Sequence, residues 1–410
     1  MKIKKIFRIY YNKLVESIAF YPAIIAVGFL LLSWVMISFD FSETGKEFKA
    51  SLSWLSLKDA STARSIVSTV AGAIISLTVF SFSMVMIVLN QAASQMSNRV
   101  LNSMIENRFQ QIILGFYIGT IVYALFLLST IRDVESGILV PALSIYLLVL
   151  LTVIDIFLFI YFLDYVTQTV KYETVVDRVS KQTLKAMQSK YIALTEEPQP
   201  WEKGSFIEVR AKHSGYFQNF NHTDLVKLAS KDNFHISFTN TLGTYLLKNS
   251  IVLKIYYKTA LDQDLVEEIS DAVDFYAGQP IDINPDYGFR QLSEIALKAL
   301  SPGINDPGTA VISLNSLSDL FQYLLYHKMP SIVKDDDNES RIFLPTSTFT
   351  ELFDDCIPPI WNYGKEGQYI QDGLLTVLKQ LKIQDYRNLY SSHFDKWIAI
   401  VESKIAKTRF

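Results

Sequence analysis

Residues 65–98 read SIVSTVAGAIISLTVFSFSMVMIVLNQAASQMSN, 34 positions without one Asp, Glu, Lys or Arg. Lipid offers no partner to backbone N–H and C=O groups, so an apolar stretch of this length is expected to be a membrane-spanning helix. As one helix it would be about 51 Å long against a hydrocarbon core of about 30 Å, which requires tilt, a bend or projection into water. Three further stretches have the length and composition of spans, and the four are predicted at residues 18–39, 66–96, 109–131 and 138–163, the last interrupted only by Asp155. The first follows a basic segment as in a signal peptide, but it is too long for one and no small-residue cleavage site follows it, so it is read as a retained helix.

The remaining sequence is that of an ordinary water-soluble protein. The whole chain of 410 residues is 50% hydrophobic and 19% charged, with the excess apolar content confined to the first 165 residues. The expected organisation is a transmembrane domain at 1–165, a juxtamembrane amphipathic helix and linker at 166–200, a small β-rich module at 201–258 and a mainly helical domain at 259–410. Lys2, Lys4, Lys5, Arg8 and Lys13, then Arg99 and Arg108, then Lys171, Arg178, Lys181, Lys185 and Lys190 fall on one side of four spans. By the positive-inside bias that side is expected to be the cytoplasm, with both termini in it.

The long second span carries a polar ladder, Thr69, Ser76, Ser83, Asn90 and Ser97, each seven residues from the next. Ser65, Gly72 and Ala93 lie on an adjacent stripe. Such a stripe is either a close-packing seam between helices or a water-facing wall of a pore or cavity, with Ile75, Val79 and Phe82 turned away from water. Asp155 is expected about 26 Å along its span, near the inner boundary and level with Ser83 and Gln111. It is either an acid reaching toward headgroups and neighbouring polar groups or an ion or proton site. Gly115 and Gly119 are spaced for close helix packing.

In the rest of the chain, residues 165–194 continue the helical pattern from the fourth span until Glu197-Pro198-Gln199-Pro200 ends it. Alternating segments at 205–210, 213–218, 242–249 and 251–257 predict strands, laid out like a barrel-sandwich module. Helices are expected at 261–276, 288–300, 307–327, 347–361, 369–381 and 387–407, with Asp306 as N-cap, Pro307 as first helical residue, and a solvated loop at 334–340.

No chemistry of turnover is legible. The five histidines lack metal-ligand spacing, the single Cys356 forms no disulfide and reads as a buried, unreactive thiol, and no nucleotide-binding or nucleophile-elbow motif occurs. The formal net charge of -3 gives no footprint for nucleic acid. The chain is therefore expected to be no enzyme and to need no cofactor or metal; the expected partners are the bilayer and copies of itself, with any ligand unknown.

Two stretches carry a resemblance: Ser214-Gly215-Tyr216-Phe217-Gln218, and Tyr287-Gly288-Phe289-Arg290-Gln291-Leu292 followed by the run from Ala299 through Ser301-Pro302-Gly303-Ile304-Asn305-Asp306-Pro307-Gly308-Thr309-Ala310. The chain resembles a bacterial family of predicted integral membrane proteins, domain of unknown function 2254, marked by an SGYVQ-like turn and an ALSPGINDPxTA-like signature. It departs from that pattern in having Ile283-Asn284-Pro285 where Gln-Asp-Pro is usual, and Gly308 where an aromatic is common. The resemblance implies the fold and a membrane location, and no activity. Asn305 and Asp306, with Arg290 and Glu294 on the preceding helix, are either a capped helix corner or a binding or gating site. Two functions stay open: a homo-oligomeric ion channel or transport protein with a cytoplasmic regulatory domain, and a membrane-anchored sensor or scaffold whose cytoplasmic domain binds a ligand or partner.

Overall fold

The structure, a computed structural model, describes residues 19–51, 57, 59–95, 108–134, 137–169, 171–194, 204–258, 261–276 and 278–408. The basic N-terminal tail, Ser97, Arg99 and the Pro198/Pro200 linker lie outside the described residues. The chain divides into two compact units, Met1–Lys171 and Tyr172–Phe410.

The first unit comprises α1 (Phe20–Phe41), α2 (Glu43–Ser51), α3 (Ala60–Gln95), α4 (Arg108–Thr130), the hairpin β1 (Arg132–Val134) and β2 (Gly137–Leu139), and α5 (Ala142–Thr169). Four of these helices are long and apolar enough to cross a membrane: Phe20–Phe41, Ala60–Val88, Phe109–Thr130 and Ala142–Gln168. The most enclosed is α4, which packs against α1, α3 and α5. A Cβ on Gly115 would stand 2.6 Å from Ile25 Cδ1, and one on Gly119 would stand 2.7 Å from the Phe29 ring. The two glycines therefore let α1 lie directly on α4 within one chain, a small-residue contact of the kind lipid-embedded helices use in place of hydrophobic driving force.

Asp40 fixes the end of this bundle. The sequence reading places it in an external loop, yet it is fully buried at the end of α1. Its carboxylate accepts hydrogen bonds from Leu143 N (3.2 Å), Ser144 N (2.7 Å) and Ser144 Oγ (2.6 Å), the first turn of α5. Lys49 of α2 donates to it at 3.0 Å, and Tyr123 of α4 donates to the Ser144 carbonyl at 3.1 Å. An acid from one helix thus caps the positive end of another, where orphan N–H groups and the helix dipole both favour a negative charge.

The second unit opens with α6 (Tyr172–Lys190), whose stripe of Val175, Val176, Val179, Thr183, Ala186 and Met187 is buried. It is a helix separate from α5, where the sequence pattern had suggested one continuous rod. Next come β3 (Ile192–Ala193), β4 (Ser205–Arg210), β5 (Gly215–Phe220), α7 (His222–Lys231), β6 (His235–Phe238), β7 (Tyr245–Leu246), β8 (Ile251–Tyr257), α8 (Gln263–Asp271) and β9 (Val273–Phe275). The chain continues with α9 (Asp286–Ala299), α10 (Pro307–Leu324), β10 (His327–Lys328), β11 (Ile332–Lys334), β12 (Ser340–Phe343), α11 (Phe349–Gly364), α12 (Gln368–Gln384) and α13 (Ser391–Thr408). A five-stranded sheet in the order β11-β12-β6-β8-β4, with β12 parallel to β6, shares one core with the three-stranded sheet β7-β5-β9. Phe217 of β5 stacks on Phe238 of β6 at its centre, ring centroids 5.1 Å apart. Helices α9 to α13 close around Phe289, Phe321, Phe349, Phe353 and Phe394.

Three departures from the sequence reading have physical causes. The β-rich region does not stop near residue 258, because β11 and β12 return to pair with β6 in place of a self-contained barrel-sandwich. The Asp335-Asp336-Asp337 run that reads as a solvated loop is the turn of that hairpin. Asp335 is half-buried with its side chain turned inward, accepts from Arg341 Nε at 2.6 Å and from Ser230 Oγ at 2.9 Å, and its carboxyl is held down at about 2, chiefly by Arg341. The helix expected through 276 stops at Asp271, because Val273–Phe275 pairs with β5.

Replacing Asp40 by Ala leaves the α5 amides and Lys49 without their acceptor. The melting temperature of the detergent-purified protein is expected to fall, by the equivalent of about 1–3 kcal/mol, the usual cost of stranding buried donors. An unchanged melt would show that the cap does not hold the bundle.

Candidate functional site

The first candidate lies among the spans. Asp155 is fully buried, thirteen residues into the 28-residue α5 and so about 20 Å from its start, at mid-helix. The sequence reading sets it near a boundary, but β2 takes residues 137–139, Pro141 precedes the helix, and α5 runs on past Leu163 to Thr169. Its polar neighbours are Thr120 and Tyr117 on α4, and Tyr117 in turn faces Ser81 on α3. Ser81, Tyr117, Thr120 and Asp155 are 0–1% exposed. Thr120 approaches Asp155 and Ser81 approaches Tyr117, but neither Asp155 oxygen, none of the three hydroxyls, and not Gln111 Oε1 farther along α4, has a partner at ordinary hydrogen-bond geometry. Ile74, Ile113 and Phe162 are packed with Tyr117 in an apolar surround.

The ladder lies elsewhere. Thr69, Ser76, Ser83 and Asn90 are all exposed on the unit's surface, as are Ser65 and Gly72, while α3 buries Ala63, Val67, Ala71, Ile74 and Ser81 toward its neighbours. Ile75, Val79 and Phe82 also lie on the outer surface of α3, not packed against the other helices of the unit. Ser83 therefore points away from Asp155, and Ser81 takes the place expected for it. Ser76 and Ser83 donate to the carbonyls of Gly72 (2.9 Å) and Val79 (2.8 Å), so their hydroxyls are satisfied within the helix.

In the second unit, stretches far apart in sequence meet in one hydrogen-bonded network. Gln218 of β5 is fully buried; its amide donates to the Gly278 carbonyl, and it accepts from Tyr287 Oη at 2.7 Å. Asn284 donates to the Leu242 carbonyl (3.0 Å) and accepts from Asp286 N (3.1 Å). Gly243 sits at φ +87°, and a Cβ there would fall 2.7 Å from Tyr287 Oη. Gly288 allows α9 to touch α6, since its Cβ would coincide with Thr183 Oγ1. Burial pushes the Asp286 carboxyl up, opposed by Ser347, which donates to it at 2.6 Å.

The SPGINDP corner joins α9 to α10. Asp306 caps α10: its carboxylate accepts from Thr309 N (3.1 Å) and Thr309 Oγ1 (2.5 Å), which holds its pKa below the usual carboxylate range. Pro307 is the first helical residue, and Asn305 takes the left-handed conformation at φ +48° that turns the chain. Ser301 N-caps nothing, but its carbonyl accepts from Ile304 N and Asn305 N, closing the turn over Pro302 and Gly303. Tyr172, the first residue of the second unit, lies near Asp306. Arg290 is not part of this corner: it pairs with Asp355 of α11 at 3.7 Å, about 15 Å of helix away. Glu294 stands half-buried between them on α9.

Residues 15–380 match the family model described as predicted membrane protein DUF2254. The chain belongs to the DUF2254 family. Among its relatives are the uncharacterized proteins Mb1321c of Mycobacterium bovis and Rv1290c of Mycobacterium tuberculosis. Each is 24% identical over 327 residues, which is 77% of this chain and 63% of the relative. This DUF2254 chain thus spans less than two thirds of the length of those relatives. No solved structure matches it.

Of the positions singled out by sequence in this DUF2254 protein, the structure brings Ser301 to Pro307 together as one corner and leaves Asp155, the ladder and Arg290 in separate places. Ser81, Tyr117 and Thr120 were not singled out by the sequence reading, because a serine, a tyrosine and a threonine are unremarkable within a span. The signal was their register: Tyr117 and Thr120 are three apart on one helix face.

Asp306→Ala is expected to destabilise the protein by about 0.5–2 kcal/mol at neutral pH. A carboxylate with a depressed folded-state pKa contributes stability above its unfolded value and loses it as pH falls through the folded one. The gap in melting temperature between wild type and variant should therefore close in acid. A gap that stays constant from neutral to acid pH would contradict the charged-cap account.

Proposed function

We propose that this DUF2254 protein is an inner-membrane ion channel or transport protein that works as a homo-oligomer, with its second unit a cytoplasmic regulatory domain and no enzymatic turnover. Asp155 carries this reading. An acid at a helix centre costs about 2.5–3.5 kcal/mol on insertion scales, and each buried polar group without a partner adds about 1–3 kcal/mol. An acid retained for structure is closely bonded, as Asp40 is; Asp155 has only Thr120 and Tyr117 near it, none at ordinary hydrogen-bond geometry, and the hydroxyls of Ser81, Tyr117 and Thr120 are no better satisfied. Such an arrangement is understandable where a solute supplies the missing partners. The exposed stripe of Ser65, Thr69, Gly72 and Ser76 supports the oligomer, because small residues let helices of neighbouring copies approach closely. The bias of Lys and Arg supports the orientation, with both termini inside.

The reading as a membrane-anchored sensor or scaffold has its own observation, a shallow polar hollow along α6 lined by Asp177, Arg178, Lys181, Gln182, Lys185 and Asp282. Flux separates the two. Vesicles containing the purified protein should pass protons or alkali cations faster than protein-free vesicles, and Asp155→Asn should remove most of the difference. Wild-type vesicles no leakier than empty ones would leave the sensor or scaffold reading in front.

Topology is tested apart from flux. Single cysteines at Glu43 and Asp336, in a Cys356→Ala background, should respond differently to an impermeant thiol reagent on intact cells, with Glu43 labelled and Asp336 protected. Equal labelling would sink the orientation.

A further inference from the structure

We propose that Asp155, Thr120, Tyr117 and Ser81 are the ligands of a single, largely dehydrated alkali cation held at mid-membrane depth. The proposal rests on the transport reading for its use but not for its chemistry. The donor set is all oxygen: one carboxylate and three hydroxyls, drawn from α3, α4 and α5. Hard cations take such donors; soft or borderline metals take thiolate and imidazole, and all five histidines and Cys356 lie in the second unit. Among the described residues no group of three or more His, Cys, Asp or Glu side chains is placed to hold a metal ion.

The charge count selects the valence. The cluster holds one acidic side chain, so a monovalent cation gives a neutral site, whereas a divalent ion would leave a net positive charge in an apolar surround. Calcium sites use six to eight oxygens, commonly several of them carboxylates. The hydroxyls fit the same occupant. Elsewhere in the spans the hydroxyls of Ser76, Thr78, Ser83 and Thr152 are spent on the carbonyl four residues back. Those of Ser81, Tyr117 and Thr120 are not, which leaves their lone pairs free to face a cation. Gln111 Oε1, also buried and unpartnered, lies six residues and about 9 Å before Tyr117 on α4 and would offer the next oxygen along that helix.

The test uses the full chain, purified in detergent, with its melting temperature followed against NaCl, LiCl and KCl at ionic strength held constant by choline chloride. A ligand that binds only the folded state raises its stability with saturation. At least one alkali cation should raise the wild-type melt in that way and leave Asp155→Asn unchanged. Thr120→Val, which keeps the shape and removes one ligand, should shift the half-saturating concentration by about tenfold or more. Equal responses in wild type and Asp155→Asn, or none to any alkali cation, would overturn the site and leave water or a proton as its occupant. Saturable stabilisation without flux would keep the site and remove the transport reading; Asp155-dependent flux without stabilisation would do the reverse.

Discussion

In hydrocarbon, a polar group has only the protein to bond to, and the four-helix unit is organised around that constraint. Asp40 meets it fully. Its carboxylate takes two backbone amides and a hydroxyl from the first turn of α5 and an ammonium from α2, so one side chain joins three helices and neutralises the positive end of one of them. Ser76, Thr78, Ser83 and Thr152 meet it by folding their hydroxyls back onto their own helices. Against that thrift, the bare oxygens of Asp155, Tyr117, Thr120 and Ser81 stand out as a departure concentrated in one place.

The second unit keeps the same accounting in one network but not throughout, since Ser313 Oγ and Gln279 Oε1 are buried there without a hydrogen-bond partner. Gln218, Asn284, Asp286 and Tyr287 are buried polar side chains, and each has its partners within the unit. A buried network is worth having only when every member is satisfied, because a half-made one costs more than an apolar core. The glycines among these residues serve it: Gly243 gives Tyr287 room to reach Gln218, and Gly288 seats α9 on α6. The stretches that carry the family resemblance are thus accounted for by hydrogen bonding and close packing.

Much of this was legible in the sequence because it follows from local rules. The four spans follow from length and hydropathy, and the α9–α10 corner from Asp306 and Pro307 standing where a cap and a first helical residue belong. What escaped was set by distant partners. Asp40 reads as a loop acid until α5 presents its amides, and Asp335 reads as solvated until Arg341 and Ser230 close on it. Residues 273–275 continue a helical pattern on paper and become a strand because β5 offers an edge. Asp155 lies about 20 Å along its helix where hydropathy gives about 26 Å for a similar reason: the hairpin before α5 consumes residues that hydropathy alone assigns to the span.

The ladder and the cluster lie on opposite sides of α3, and this separates two roles that the sequence had merged. In the sequence the heptad ladder of small polar residues is open to two readings, a packing seam or a water-facing wall level with Asp155, yet Ser83 faces outward while Ser81, two positions earlier, faces Tyr117. A rotation of about 200° between residues two apart is what an α-helix imposes at 3.6 residues per turn. On the transport reading proposed above, a passage through Asp155 would run inside the four-helix unit and would not need the outward stripe. The stripe would then be free to serve as a seam between copies, with the Ser76 and Ser83 hydroxyls already satisfied along the helix and small side chains asking only for close approach. On that reading oligomerisation and conduction are separable: substitutions at Thr69 and Ser76 would act on the first, and substitutions at Asp155 and Thr120 on the second.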